Sequence, residues 1–183
     1  MNILETDIPG VLILEPKVFG DTRGFFVETF RAEWLLKQNL GVSFVQDNQS
    51  RSRKGTLRGL HYQLEHTQGK LVRCSRGAVF DVAVDVRRGS PHFGKWVGAL
   101  LDDVTHRQMY VPPGLAHGFC VVSDEADFIY KCTDYYHPQS ETGVLCSDPA
   151  LGIAWPEVGV PWLLSDKDRV LPPLRDQTRL PDY

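Results

Sequence analysis

Between residues 71 and 133 the chain is cut into short strand-like runs, and that punctuation restricts its folding more than any other feature. Phe80-Asp81-Val82-Ala83-Val84-Asp85-Val86 alternates cleanly, with Phe80, Val82, Val84 and Val86 on one face and Asp81, Ala83 and Asp85 on the other. Gly89-Ser90-Pro91 turns the chain. Residues 96–101, 108–111, 118–122 and 128–133 read as further strands between Gly, Pro, Asp and Ser clusters. Many short strands at this spacing predict a mainly β sandwich or barrel, and a jelly roll is the economical choice.

The flanks add little regular structure. Residues 11–30 form two strand-like runs broken at Gly20-Asp21, residues 31–40 hold helix formers and stop at Gly41, and a strand is expected at 42–49 before a charged turn at 51–55. Near the end, residues 163–168 suit one short helix. At 183 residues a single domain is expected. A net charge of -3 argues against a nucleic-acid partner but leaves room for a local basic pocket holding one anionic small molecule. Residues 1–9 carry Glu5 and Asp7 and no long apolar run, so neither a signal peptide nor a membrane span is predicted, and the expected location is the cytoplasm. Cys74, Cys120, Cys132 and Cys146 fall singly, without a C-x-x-C pair, and read as small buried hydrophobes.

The stretch Gly55 to Lys70, G-T-L-R-G-L-H-Y-Q-L-E-H-T-Q-G-K, places Arg58, His61 and Lys70 in what otherwise reads as a buried hairpin. Charges on such strands can simply protect an edge. Here they coincide with a partial motif. Gly55 is followed after five residues by His61, and Pro112-Pro113-Gly114-Leu115-Ala116-His117 completes a pattern that resembles the cupins, small jelly-roll barrels with a metal in the mouth. The second histidine of the first half is replaced by Gln63, and the glutamate position falls on Thr67 or Gln68. Two ligands of the usual four are too few for tight zinc or non-heme iron binding, so no metal is expected. His61 then becomes a free imidazole suited to general-base work. Arg58 and His61 are three apart and would face opposite sides of a regular strand, so Gly59 is expected at a bulge or sharp turn if both reach one cavity.

Four stretches widen the resemblance: R-G-L-H-Y-Q at 58–63, V-F-D-V-A-V-D at 79–85, V-P-P-G-L-A-H-G-F at 111–119 and Y-K-C-T-D-Y-Y at 130–136. In order and content, from about residue 3 to about residue 170, the chain resembles the dTDP-4-dehydrorhamnose 3,5-epimerases, cupins without metal from the bacterial L-rhamnose pathway. That resemblance implies a cofactor-independent isomerase that inverts carbons 3 and 5 of a dTDP-linked 4-keto-6-deoxy sugar. It implies His61 as base with Asp168 as its partner, Lys70 facing the keto oxygen, and Tyr130 as proton donor from the opposite face. Arg23 and Arg58 correspond to diphosphate-binding arginines, where a planar fork suits phosphate oxygens. Glu28, Gln46, Asp47, Asn48, His117, Glu141 and Lys167 correspond to further ligand contacts, and Tyr136 to a ring that stacks on thymine. Family members are homodimers with exchanged N-terminal strands, which would bring Arg23 and Glu28 to the neighbouring subunit. Structural alternatives stand beside these roles: Lys70 as a solvated hairpin charge, Tyr130 as a core aromatic, Asp168 as part of a helix capping box with Ser165, residues 46–48 as a plain turn, and Glu141 as a surface acid.

Overall fold

The computed structural model describes residues 1–183. In chain order its strands are β1 (Asn2–Glu5), β2 (Leu12–Glu15), β3 (Val18–Asp21), β4 (Gly24–Val27), β5 (Gln46–Arg53), β6 (Leu57–Gln63), β7 (Lys70–Arg76), β8 (Ala78–Asp85), β9 (Trp96–Asp102), β10 (Gln108–Val111), β11 (Leu115–Val121), β12 (Glu125–Cys132) and β13 (Glu141–Gly143). Two short α-helices, α1 (Ala32–Leu36) and α2 (Asp166–Arg169), and one 3-10 turn at Leu174–Asp176 complete it. One antiparallel sheet runs β1-β2-β10-β7-β12-β5, the other β13-β6-β11-β8-β9, and β3 pairs only with β4. This is the expected mainly β, jelly-roll-type architecture with a few short helices.

Strand parity explains where the core sits. Val72 and Cys74 of β7, Val79 and Ala83 of β8, Leu115, Phe119 and Val121 of β11, and Ala126 and Phe128 of β12 are buried together between the two sheets. The opposite face of β8, carrying Val82 and Val84, packs under Leu151, Trp155 and Leu164 of the C-terminal segment. Both faces of β8 are therefore buried. Its alternation does not mark a solvated side, and Asp81 and Asp85 are fully enclosed. Asp85 is held there by Arg87 at 2.7 Å and Ser90 at 2.6 Å, and Asp81 by His117 at 2.8 Å. A third cluster, Leu12, Leu14, Leu35, Leu71 and Tyr110, lies on the outer side of the first sheet under α1.

Several elements differ from the sequence reading. Residues 11–30 contain three strands, because Pro16-Lys17 interrupts the first run and the hairpin turn falls at Thr22-Arg23. The helix expected over residues 31–40 is α1 alone. Asn39 takes the left-handed conformation (φ 58°) and Leu40 N donates to Leu35 O at 3.0 Å, a left-handed cap that ends the helix before Gly41 is reached. The strand expected at 42–49 begins later and runs through the supposed turn to Arg53, paired with β12 from Cys132↔Gln46 to Glu125↔Arg53. Gln46–Arg53 has no apolar residue, so hydrophobic alternation could not reveal it. No helix of the structure is long and apolar enough to cross a membrane.

Candidate active site

On β7 the inward parity that buries Val72 and Cys74 also turns Lys70 inward, and on β12 the parity of Ala126 and Phe128 does the same for Tyr130. On β11 it brings in His117, whose ring lies against Phe128, itself stacked on Phe119 at 4.0 Å. On β6 simple parity fails at Gly59. His61 lies opposite His117 while Arg58 lies opposite Phe119, so β6 carries an extra residue and bulges. Gly59 has φ 117°, its peptide to Leu60 is cis, and a Cβ there would stand 2.6 Å from Gly118 Cα. Only glycine fits, and its presence lets Arg58 and His61 both line the cavity.

Asp168 arrives from far along the sequence. Leu57 N donates to Leu163 O at 3.1 Å and Leu163 N to Gly55 O at 2.8 Å, clasping the C-terminal segment to the start of β6. Gly55 has φ 78°, and a Cβ would come within 2.8 Å of Val160 Cγ2. Ser165 caps α2, accepting from Asp168 N at 3.1 Å. The carboxylate of Asp168 does not close that box. It meets His61 Nε2 at 2.5 Å. Burial works against the charge of Asp168, but the hydrogen bonds from His61 and Ser165 outweigh it and hold the carboxyl below the usual range. An ionised Asp168 accepts Nε2–H and so leaves Nδ1 of His61 as the proton-accepting nitrogen.

A cavity of about 510 Å³ is lined by Arg58, His61, Lys70, His117, Tyr130, Lys167 and Asp168, among others. A second, of about 320 Å³, is lined by Gln46, Asn48, Gln63, Tyr136 and Glu141. His61, Lys70 and Tyr130 are the residues common to both. Burial pushes the Lys70 ammonium down, while the charges of Cys132, Glu141 and Asp81 pull it back up. Lys131 and Lys167 each hold a carboxylate, Asp47 and Glu141 respectively; Lys70 is not so engaged. Burial also raises the Tyr130 phenol, which stays protonated at neutral pH. Glu141 lies 3.9 Å from His61 Nδ1 and accepts from Tyr136 Oη at 2.7 Å and from Lys167; although burial opposes its charge, these partners hold it low.

Other expected site residues lie elsewhere in the chain. Asp47 falls on the outward face of β5, paired with Lys131 at 2.9 Å. Arg23 sits at the tip of the β3–β4 hairpin on Asp21, and Glu28 beside it pairs with Arg31 at 2.8 Å. Within one chain neither lines the two cavities. Asp81, the carboxylate behind His117, was not singled out, although an acid flanked by apolar residues in a strand was the available signal. Nor were Ser50 and Arg53, which also line the larger cavity.

The two cavity histidines of the cupin-like pattern direct Nε2 to carboxylates, Asp168 and Asp81, and do not converge on a common point. With the flanking lysine and phenol, this is an arrangement that can move protons in the mouth of a jelly-roll barrel. The chain belongs to the dTDP-4-dehydrorhamnose 3,5-epimerase family, whose model matches residues 5–176. It is 58% identical over 171 residues to the dTDP-4-dehydrorhamnose 3,5-epimerase of Shigella flexneri, covering 92% of this chain and 93% of that protein. A Neisseria gonorrhoeae relative of the same description is 56% identical over 92% of this chain, which spans only 51% of that longer protein. Among solved structures, dTDP-6-deoxy-D-glucose-3,5-epimerase from Legionella pneumophila, in complex with dTDP-4-keto-L-rhamnose, superimposes with TM-score 0.95 at 53% identity, covering 100% of this chain and 98% of that one. A 3'-monoepimerase from Streptomyces bikiniensis, in complex with dTDP-quinovose, reaches TM-score 0.90 at 39% identity, covering 97% and 92%.

Proposed function

We propose that the chain is a dTDP-4-dehydrorhamnose 3,5-epimerase, converting dTDP-4-dehydro-6-deoxy-D-glucose to dTDP-4-dehydro-L-rhamnose, an isomerase of dTDP-rhamnose biosynthesis. The observation that carries it is the meeting of His61, Lys70 and Tyr130 at the junction of two cavities, one flanked by Arg58 and the other by Tyr136. The carbons on either side of the 4-keto group bear acidified protons. His61 Nδ1 removes one, Asp168 stabilises the imidazolium through Nε2–H, and the electron pair moves onto the keto oxygen beside Lys70. Tyr130 returns a proton to the other face. The imidazolium then releases its proton to solvent and the phenolate regains one, and the cycle repeats at the second carbon. Arg58 with His117 and Lys167 would hold the diphosphate side, and Tyr136 with Gln46, Asn48 and Glu141 the base. Asp47, paired with Lys131 on the outward face of β5 and lining neither cavity, has no contact in this arrangement. No redox or metal cofactor enters these steps.

All 183 residues are read as one such catalytic unit acting in the cytoplasm, and as a homodimer. The β3–β4 hairpin supports the dimer: Phe25 is 61% and Phe26 68% exposed on strands that join neither large sheet. Its exposed aromatics, with Arg23 and Glu28 nearby, would complete the neighbour's site. Light scattering should give twice the 20.7 kDa chain mass, and a monomer at working concentration would remove this part of the reading.

The decisive experiment is turnover of dTDP-4-keto-6-deoxyglucose in deuterium oxide, followed by NMR. Deuterium at both carbons 3 and 5 is expected. Label confined to one carbon would identify a monofunctional epimerase instead, the reading favoured by the Streptomyces bikiniensis likeness. Activity lost with a chelator would point to a metal-dependent cupin, and no exchange at all to a binding module. Tyr130→Phe sharpens the test: the base still exchanges hydrogen on its own face, so label should enter while inversion falls by roughly 10²–10⁴.

A further inference from the structure

A second group of ligating side chains comes together outside the cavities. His66 lies in the loop between β6 and β7, and Asp134 and His137 in the connection from β12 to β13. One ligand atom from each lies within 4.8 Å of the other two. The His66 and His137 rings stack with centroids 3.8 Å apart and an interplanar angle of 14°. His66 Nδ1 stands 3.4 Å from Asp134 Oδ2, while Asp134 Oδ1 accepts from Tyr135 N at 2.7 Å.

The two loops are tied together by amides. Buried Gln63 donates from Nε2 to His66 O at 2.7 Å and Tyr135 O at 3.3 Å, and its Oε1 accepts from His137 N at 2.8 Å. Gln68 Nε2 donates to Asp134 O at 2.9 Å. A single side chain thus fixes the backbone of both histidines before any ligand arrives. We propose that His66, Asp134 and His137 bind one divalent transition-metal ion, of the zinc class, that clamps these two loops at the rim beside Tyr136. Two imidazoles and one carboxylate suit such a borderline ion and not the all-oxygen shells of calcium or magnesium. Tetrahedral bonds of about 2.0–2.2 Å place ligand atoms roughly 3.5 Å apart. The His66–Asp134 separation already meets that distance; because stacked rings direct their in-plane lone pairs side by side, His137 must swing out of the stack to complete the set. Water takes the fourth position. The ion has no part in the proton transfers, since none of its ligands lines either cavity.

The full chain, freed of metal with a chelator, is titrated with zinc chloride by calorimetry and melted with and without the ion. One zinc per chain and a rise in Tm are expected. His66→Asn removes the ring but keeps a residue that tolerates the left-handed backbone at φ 57°, and Asp134→Asn removes the charge alone. Each should weaken zinc binding at least about tenfold and erase the Tm rise, by analogy with the sensitivity of metal sites to lesser changes. No zinc uptake by the wild type, or unchanged binding in both variants, overturns the site. Binding and melting are the readouts, so failure here is separate from failure of the epimerase reading.

Discussion

His61 on β6 and His117 on β11 stand opposite one another in the same ladder, and each gives Nε2 to a carboxylate. Their surroundings differ. The His61 side chain is 25% exposed and its carboxylate comes from α2, on a C-terminal segment clasped to the barrel through Gly55 and Leu163. The His117 side chain is 8% exposed and its carboxylate, Asp81, comes from the adjoining strand β8. The first pair keeps a nitrogen at the cavity junction, where protons can be exchanged. The second is packed against Phe128 and buttresses the cavity floor, its charge felt by Lys70. On the proposed mechanism the first pair moves protons, while the second, enclosed with Asp81, fixes His117 on the cavity wall, where it can contact the ligand but transfers nothing.

Replacing each histidine by alanine should separate the two. His61→Ala should lower turnover by about 10²–10⁴. It also leaves the buried Asp168 carboxylate without its partner, so Tm should fall, but less than at His117 because the His61 side chain is 25% exposed and water can take its place. His117→Ala strands Asp81 among apolar neighbours, at a cost of about 3 kcal/mol, or very roughly 6–12 °C in Tm for a chain of this size. Turnover and melting curves of both variants check this. Equal losses of stability would mean that the His61 pair is framework too.

Lys70→Met gives the next largest effect, with opposite signs in activity and stability. The variant loses the charge that faces the developing enolate, an expected drop of about 10²–10³ in kcat. It also removes an ammonium whose pKa burial holds down. A lysine lowered in the folded state costs stability below its folded pKa, and the cost disappears as pH rises toward the unfolded value of about 10.4. The variant should therefore melt higher than wild type at pH 7, and the gap should close as pH approaches about 10. A gap that widens would show that Lys70 is stabilised by its neighbours.

How far the sequence disclosed this arrangement depended on which physical signal each residue left. β8 was legible because Phe80–Val86 alternates, yet its burial on both faces was not, since the covering Leu151, Trp155 and Leu164 lie far along the chain. The polar strand β5 left no hydrophobic signal at all. The conflict between Arg58 and His61 was visible as a spacing problem, and the bulge at Gly59 is its resolution. Asp168 had no local mark beyond a capping pattern that its backbone satisfies; its bond to His61 joins residues 107 apart. Only the family resemblance pointed to that pairing.

That long-range closure leads to the mildest test. Gly55 sits where β6 takes up the C-terminal segment, and its φ of 78° disfavours any side chain. In Gly55→Ala the new Cβ would meet Val160 Cγ2 at 2.8 Å and Pro161 O at 3.0 Å; the valine methyl can shift but the carbonyl is backbone. The strap should lift slightly, costing about 1–2 kcal/mol, or roughly 2–8 °C in Tm. Because the strap also carries Asp168, kcat should fall several-fold through looser orientation of His61, while the Asp81–His117 pair stays intact. If Tm drops and kcat does not, the clasp holds the fold without positioning the base, and the contrast between the two pairs rests on exposure alone.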